Sequence, residues 1–434
     1  MQSTNDPDRE AGEPREPMEA YFDRLRRFFG RSKYAGFHIA VAGNRPLHRI
    51  AYAVAQVAVR HRITTFLVVT LLYLLLPGLR HVPSADIVFF GETQNNRRAL
   101  DEVGRLLVGR RDLHMAFASR RAGLLDRLHR WAAFGNIRRA SALIARYQRA
   151  APFLSMQLLI GAAAFAFYQD RLARQSCKMI VLANDHSPVP AAIMFSARHR
   201  GIATVYRQHA PVTAEFPPLR CDLALLYDQV SCDAYRAAEG HGVQGKTHTA
   251  IVSPFEESCR PIDPACPLTT VGICLSLVWT AGAVEQLIDE LLGHGPVKRI
   301  ILRPHPANQQ NLSCLLKRPG VALDIPGAPV SAFASTINLA IVPNSGICIE
   351  LLHRGVPVAY MAGLDALGHD LYGFVEAGIV PDYTRRRLAE ERSLYTFYDA
   401  AWRERFARFD ATQSLTPEAM WADARRALDD LLRR

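Results

Sequence analysis

The sequence predicts an α/β protein built of two doubly wound, parallel-sheet domains that face each other. Short apolar runs alternate with helical segments along most of the chain, a pattern typical of parallel strands joined by helical crossovers. The alternation stops at 253–267, which is rich in proline and polar residues, and restarts beyond it. Several apolar runs end abruptly in polar residues, at the strand end where open α/β sheets bind their ligands. We therefore expect two lobes with a ligand crevice between them.

Length and composition agree with this architecture. The 434 residues suffice for two or three domains, and 49% apolar with 21% charged residues is typical of a folded protein. The net charge of +11 is concentrated: nine Lys and Arg lie in 24–62, and thirteen Arg lie in 97–149 against four acids. Basic faces attract polyanions. Since no zinc-finger, RRM or KH signature is present, we expect an anionic membrane surface as partner and no nucleic acid.

The cysteines indicate a reducing compartment. All eight are scattered without a C-x-x-C pair, and several sit inside apolar runs. This spacing favours buried thiols over disulfides or a metal site. The first apolar run begins too late for a secretory signal. We expect a cytoplasmic protein that uses no metal and no resident cofactor.

One segment raises the question of a membrane anchor. Residues 63–76, ITTFLVVTLLYLLL, carry no charge and are flanked by Arg60, Arg62 and Arg80. A complete span needs ~20 apolar residues, so a monotopic or peripheral anchor on the inner membrane is the favoured interpretation. A core helix of the first domain and a single transmembrane span are the alternatives. The mildly apolar segment 50–59 is predicted to pair with it.

The chain divides into five predicted regions. They are a disordered tail (1–20), a basic, partly apolar helical region (21–82), a first α/β domain (83–255), a second α/β domain (268–392) and C-terminal helices (393–434).

In the first domain, strands are predicted where short apolar runs lie between turn residues. Helices are predicted where apolar residues recur with helical spacing, and Gly201 is expected to end one of them. The predicted strands are 84–91, 179–183, 203–206 and 223–227, and the helices are 100–108, 113–168 and 191–200.

The second domain repeats the alternation with shorter connections. Its apolar runs are bounded by glycine, proline and asparagine, which terminate strands and helices. The predicted strands are 270–275, 299–302, 321–324, 339–342 and 356–361, and the helices are 283–292, 311–316, 330–335 and a segment from 347.

Two strand ends in the second domain suit a phosphate. The first delivers Arg303 and His305, the latter between two prolines that stiffen the turn. The second delivers Asn344, Ser345 and Gly346 at the start of an apolar helix, where free backbone N–H groups favour an anion. The competing interpretations are an arginine paired with a nearby acid, a histidine that ties down its own loop, and an ordinary helix cap. These strand ends predict a nucleotide or nucleotide-sugar pocket.

The first domain offers candidates for a general base. Asp185 and His186 follow an apolar strand, and Glu92 follows the first strand in an equivalent location. Transfer of a group to a hydroxyl requires a base that takes its proton. Asp185 is our first candidate, with His186, His209 and Glu92 as rivals; an Asx-turn is the ordinary alternative for Asp185. Gln208 and His209 are predicted to line the cleft, or else to bond their own loop.

These motifs resemble a known family. Arg303-Pro304-His305-Pro306, Asn344-Ser345-Gly346, Glu350 and Gly355-Val356-Pro357-Val358 resemble the donor domain of GT-B glycosyltransferases of bacterial surface and capsular polysaccharide synthesis. The sialyltransferase-like, Kdo-transferase-like and CDP-glycerol glycerophosphotransferase-like groups are the most similar. The likeness covers about 84–380. It implies a GT-B fold of two facing Rossmann-like domains with an N-terminal helical extension, and it implies that Glu350 binds the ribose.

The leading hypothesis is a membrane-associated, inverting, metal-independent glycosyltransferase. The donor would be a CMP-, UDP- or GDP-linked sugar, and the acceptor a surface or capsular glycan or a glycolipid such as lipopolysaccharide. A polysaccharide assembly complex is a further candidate partner. Two alternatives stay open: a CDP-alcohol phosphotransferase or UDP-sugar epimerase on the same fold, and a non-catalytic scaffold that binds nucleotide or lipid.

Overall fold

The protein folds around two parallel sheets. The computed structural model describes residues 17–31, 36, 39, 46–128, 131–147, 150–239, 247–263, 265–293, 295–384, 394 and 396–433. The first sheet contains β1 Ile87–Phe90, β2 Met115–Phe117, β3 Met179–Leu182, β4 Ala203–Arg207, β5 Leu223–Leu226 and β6 His248–Ile251. The second contains β7 Thr270–Leu275, β8 Arg299–Pro304, β9 Val321–Leu323, β10 Leu339–Val342 and β11 Val358–Tyr360.

Helices precede, connect and cover these strands. Those of the first half are α1 Pro17–Arg31, α2 Pro46–Ala58, α3 Arg62–Leu75, α4 Gln94–Leu106, α5 Leu124–Leu128, α6 Trp131–Ile144, α7 Pro152–Leu172, α8 Pro188–His199 and α9 Gln229–Glu239. Those of the second half are α10 Ala281–Gly293, α11 Ser313–Leu316, α12 Val330–Ala334, α13 Ile347–His353, α14 Ala400–Phe406 and α15 Pro417–Arg433.

Strand order shows that both sheets are doubly wound. The first runs β2-β1-β3-β4-β5-β6, and the second runs β11-β10-β7-β8-β9, with all neighbours parallel. The winding direction reverses between β1 and β3 and again between β7 and β10, and ligands of such sheets bind at the carboxyl ends of these strands. The predicted fold class, two facing parallel-sheet α/β domains of the GT-B type, is confirmed.

The N-terminal helices belong to the core of the first domain. Tyr21, Phe22 and Leu25 of α1 are fully buried, and α1, α2 and α3 all pack against α7. The tyrosine and the leucine meet α7 at Gly161, where a Cβ would lie 2.6 Å from the Tyr21 hydroxyl. Part of the predicted disordered tail is therefore ordered, because 17–20 open α1 and Met18 is buried. Residues 1–16 lie outside the described residues.

Helix α7 is the one described helix that is long and apolar enough to cross a membrane. It has 21 residues, and 78% of its most apolar window is buried inside the protein. The other helices of the first domain surround it, so it has the setting of a core helix. Its length and composition reflect that burial on all sides.

Two strands differ from the sequence-based expectation. The predicted helix 113–168 was wrong at its start, because Met115–Phe117 forms β2 at the edge of the sheet. Strand β6 was missed at the opposite edge. Edge strands of three or four half-buried residues leave too short a pattern to separate them from helix or loop. Finally, α15 returns to the first domain, where Ala424 and Leu428 join the apolar cluster beneath β1 and β5.

Candidate functional site

His305 lies at the carboxyl end of β8, and one of its ring nitrogens already accepts a hydrogen bond. Its backbone N–H donates to the Leu275 carbonyl (2.9 Å), and the Ala307 N–H donates to Nδ1 (3.1 Å). Because Nδ1 accepts, the proton of the neutral ring sits on Nε2. Desolvation by surrounding atoms lowers the pKa of His305. The exposed imidazole is thus a neutral donor through Nε2 at neutral pH.

Arg303 is held by its own domain. Its guanidinium pairs with Asp324, donates to the Ala328 carbonyl (2.9 Å) and lies 5.1 Å from the centroid of the Phe333 ring. The competing interpretation from the sequence, an arginine paired with a nearby acid, is what the structure shows. These contacts tie β8 to the loop after β9.

In the loop after β10, the side chain of Asn344 is fully hydrogen-bonded, whereas two backbone N–H groups are not. The Asn344 amide donates to Asp365 Oδ2 (3.0 Å) and to the His369 carbonyl (2.8 Å), and its oxygen accepts from the Leu371 N–H (2.6 Å). Asn344 therefore orders the loop instead of reaching a ligand. By contrast, the N–H groups of Ser345 and Gly346 donate to no acceptor within the described part of the chain. Two adjacent unpaired N–H groups suit an anion.

The same loop touches the other lobe. A Cβ added at Gly346 would lie 2.8 Å from Cδ of Pro211, two residues after His209. Glycine is required here for close approach, since its φ of −64° is open to any residue. The loops that follow β10 and β4 therefore meet, and Pro211 covers one side of the predicted cradle.

Glu350 also faces the first lobe. Its carboxylate, partly exposed, lies 3.4 Å from the guanidinium of Arg354, the residue that follows α13. Burial raises the pKa of Tyr227 at the end of β5, and the charge of Glu350 adds to that shift. The charge of Glu350 therefore reaches a tyrosine of the first domain, which places the glutamate near the contact between the two domains.

The predicted donor residues share one edge of the second sheet. β7 lies between β8 and β10, so His305 and Ser345 stand about two strand spacings, ~10 Å, apart at the carboxyl edge. Two buried polar atoms near this edge, Nε1 of Trp279 and Nε2 of His369, have no partner among the described residues. Trp279 was not predicted from the sequence. Its signal was available, because it follows the apolar run of β7 as His305 follows that of β8.

Asp185, the first candidate base, is buried and paired. Its carboxylate accepts from Tyr235 (3.1 Å), contacts Nδ1 of His186 (3.0 Å) and lies 3.6 Å from the guanidinium of Arg24 in α1. Burial pushes the pKa of Asp185 upward, but His186, Arg24 and Tyr235 outweigh it and leave the pKa lowered. A buried carboxylate of lowered pKa is a poor proton acceptor. The contacts of Asp185 orient His186 and anchor α1, and this environment favours the other candidates over Asp185 as the base.

Glu92 occupies the more suitable position. It lines a small pocket at the carboxyl ends of β1 and β3, together with Gly78, Arg80, Tyr168 and Asn184. Desolvation raises the pKa of Glu92, and this shift is partly opposed by the neighbouring Arg80 and His186. A carboxylate with a raised pKa that lines a pocket is a better proton acceptor than one with a lowered pKa.

The two residues predicted to line the cleft differ. Gln208 is fully buried, and its amide bonds Ala210, Ser231 and the Tyr227 N–H at 2.8–2.9 Å, so its prediction as a cleft residue was wrong. His209 is partly exposed, but Nδ1 is buried without a partner among the described residues. Desolvation lowers the pKa of His209 to about 4, so the ring is neutral at pH 7.

One described cluster has metal-ligand chemistry. Cys259, His353 and Asp410 place one ligand atom each within 4.8 Å of one another, between the interdomain linker and the segment before α15. His353 Nδ1 and Asp410 Oδ2 are 2.6 Å apart, a direct hydrogen bond. Two ligands on one tetrahedral zinc would be ~3.3 Å apart. Phe255 stacks on the imidazole at 3.8 Å. The His353–Asp410 hydrogen bond therefore connects α13 to the segment before α15.

Comparison with known proteins adds to this picture only at the level of fold. No family model and no curated protein matches the chain. Similar solved structures include a putative UDP-N-acetylglucosamine 2-epimerase from Listeria monocytogenes (11% identity, 80% of this chain and 95% of that chain, TM-score 0.45). MurG of Acinetobacter baumannii (12%, 82% and 99%, TM-score 0.42) and the glycosyltransferase of kitacinnamycin (11%, 80% and 99%, TM-score 0.48) are similar to the same extent. With TM-scores below 0.5, these likenesses carry no argument about activity, and the fold assignment stands on the two sheets.

Proposed function

We propose that this protein transfers a sugar from a nucleotide donor, held by the second lobe, to a hydroxyl acceptor held by the first. One observation carries the proposal. The neutral donors of the second lobe and the proton-accepting groups of the first lie at sheet edges that touch at Gly346 and Pro211. Donor phosphate and acceptor hydroxyl would thus share one crevice.

The division of labour follows from the chemistry at each edge. His305 Nε2 and the N–H groups of Ser345 and Gly346 would donate to the nucleotide phosphates and to the charge that develops on the leaving group. Glu350 would accept from the ribose hydroxyls. Glu92 would take the proton of the acceptor hydroxyl as it attacks the anomeric carbon. Direct displacement of this kind inverts the anomeric configuration and, with these donors, would need no metal ion.

The donor class and the location are part of the same proposal. A CMP-, UDP- or GDP-linked sugar satisfies the groups described, and the acceptor would be a surface glycan or a glycolipid. The enzyme would act as a peripheral or monotopic protein at the cytoplasmic face of the inner membrane. The exposed basic residues of the first domain support this location, since anionic lipid attracts them.

Calorimetric titration of nucleotides and nucleotide sugars tests the donor site. His305→Ala should weaken binding about 10- to 100-fold, the value of one hydrogen bond to a charged group. His199→Ala is the matched control, because His199 is an exposed histidine on the first domain. Equal affinity of wild type and His305→Ala would refute the donor assignment. Product analysis with the donor that binds distinguishes sugar transfer from epimerisation and from polyol-phosphate transfer.

A further inference from the structure

The outer face of the first domain carries an apolar surface formed by two neighbouring helices. α2 exposes Leu47, Ile50, Val54 and Val57, and α3 exposes Ile63, Leu67, Leu71 and Leu75. Leu47 is 78% exposed and Ile63 is 76% exposed. Among the described residues, these are eight of the seventeen strongly exposed large aliphatic side chains. We call the outward faces of α2 and α3 the apolar platform.

Helical geometry shows that the platform is one face of each helix and not a fraying end. On α3 the exposed residues recur every four positions, and the buried Thr65, Val69 and Tyr73 are displaced from them by two. Two residues correspond to about 200°, so the two sets lie on opposite sides. The inner face packs against α7, while the outer face has apolar side chains where a surface helix normally has polar ones.

Both ends of α3 are fixed to the domain. Thr65 Oγ1 donates to the carbonyls of Ala58 and His61 at 2.9 Å. The buried Arg127 donates to the carbonyls of Tyr73, Leu74 and Leu76 at 2.9–3.1 Å, which satisfies the carboxyl end of the helix. A helix held on one face and at both ends, ~21 Å long, cannot cross a bilayer core of ~30 Å.

The charge around the platform is complementary to anionic headgroups. No Asp or Glu occurs between Asp23 and Asp86. Arg60, His61 and Arg62 are exposed where α2 turns into α3. α5 packs against α3 and extends the apolar area with exposed Leu124 and Leu125. The platform helices α2 and α3 contain no acidic residue, and an apolar face bordered by cations has the properties of an interfacial membrane helix.

We infer that the apolar platform lies in the plane of an anionic phospholipid monolayer and sets the Glu92 pocket at the membrane surface. The connection to the pocket is short: α3 ends at Leu75, and Gly78 and Arg80 already line the pocket. The Arg80 N–H donates to the Tyr168 hydroxyl (3.0 Å), which fixes this connection. The inference rests on the proposed function in one respect: it makes the acceptor a lipid-linked molecule presented from the monolayer.

Vesicle co-sedimentation of the full-length protein tests the binding. Phosphatidylcholine vesicles with about one third phosphatidylglycerol should bind the protein at least about tenfold more tightly than phosphatidylcholine alone. Leu67→Glu/Leu71→Glu should weaken binding at least about tenfold. Arg60→Gln/Arg62→Gln should reduce the preference for anionic lipid while retaining binding to neutral vesicles. Ile325→Glu, on a 72% exposed aliphatic residue of the second domain, should change nothing.

Depth-dependent quenching tests the in-plane orientation. Ile63 and Leu75 are ~18 Å apart along α3. Tryptophan introduced at either position, measured as the difference from wild type, should be quenched equally by lipids brominated at the same shallow depth. Graded depths would indicate a span and overturn the inference.

The remaining outcomes test the membrane-binding inference and the proposed function separately. No binding to either vesicle overturns the inference. So does a concentration-dependent dimer that Leu67→Glu/Leu71→Glu abolishes, because the surface then binds a second copy. Nucleotide affinity, measured without vesicles, should be the same in wild type and Leu67→Glu/Leu71→Glu. Vesicle binding without any nucleotide binding would leave the platform standing and refute the proposed function.

Discussion

The carboxyl edges of the two sheets carry different kinds of polar group. At the first sheet, the titratable side chains of Glu92 and His209 have pKa values that desolvation shifts, and His186 contributes a smaller lowering to both. At the second sheet, the exposed groups are neutral donors: Nε2 of His305 and the N–H groups of Ser345 and Gly346. The charged side chain with the best sequence signal there, Arg303, is paired with Asp324.

This difference separates two chemical tasks. An edge with a carboxylate of raised pKa can accept a proton, while an edge of fixed neutral donors can hold phosphate charge at little cost in reorganisation. Variants that change one edge and spare the other are the sharpest test of this comparison.

Glu92→Gln should have the largest effect. Loss of the base should lower kcat about 10²–10⁴-fold and leave nucleotide affinity at the second lobe unchanged. Since desolvation raises the pKa of Glu92, the acid limb of the kcat/KM profile should lie above the pKa of an ordinary glutamate. Steady-state kinetics across pH measures both. Glu257→Gln, on an exposed glutamate of the linker, is the control. Wild-type kcat in Glu92→Gln would assign the base elsewhere.

His209 should make stability depend on pH. Its pKa in the folded protein is about 4 and its ordinary value is 6.5, so between these values the unfolded chain binds the proton and the folded protein does not. Stability should therefore fall as pH drops from about 6.5 to about 4, by up to ~3 kcal/mol. Denaturant unfolding of wild type and His209→Gln at both pH values measures this term.

Asp228 should have the opposite effect on the pH dependence of stability, so it provides an internal check. Burial raises the pKa of Asp228 to about 6, so the folded protein holds a proton there that the unfolded chain has released. Its contribution is present below its ordinary pKa and is lost as pH rises to about 6. Asp228→Asn should steepen the loss of stability on acidification, whereas His209→Gln should flatten it. The opposite pair of slopes would contradict both assignments.

Gly346→Ala tests whether the two edges must touch. The added Cβ would meet Pro211 at 2.8 Å and push the lobes apart, at a cost of ~1–3 kcal/mol. Transfer activity should fall, and Pro211→Ala in the same chain should restore part of it. Gly282→Ala, where a Cβ meets nothing within 4 Å, is the control. Additive effects in the double variant would show that the contact is not coupled to activity.

Trp279→Phe should have the smallest effect and the clearest sign. The buried indole N–H has no partner among the described residues, so its removal should leave stability unchanged or slightly higher. If that N–H donates to the nucleotide, affinity should fall several-fold. Trp402→Phe is the matched comparison: its indole donates to the Ile379 carbonyl (2.9 Å), so stability should fall ~1 kcal/mol at constant affinity. Calorimetry and thermal unfolding on both variants decide.

The sequence by itself determined the architecture and the places where polar groups emerge. Apolar runs bounded by turn residues predicted nine of the strands, since a strand buried on both faces must be apolar throughout. The exceptions, β2 and β6, lie at the two edges of the first sheet, where burial is incomplete. The edge that carries His305 and Ser345 followed directly from strand direction.

Only the tertiary structure decided which of those polar groups are available. Asp185 is hydrogen-bonded to Arg24 and Tyr235, and Gln208 is hydrogen-bonded to Ser231. These partners lie 23 to 161 residues away in the chain. Local sequence cannot reveal such partners, because a buried charge or amide is satisfied by whatever segment packs against it. The platform was likewise settled by packing. Residues 63–76 are apolar on all sides, and only the docking of α3 on α7 determines which side remains exposed.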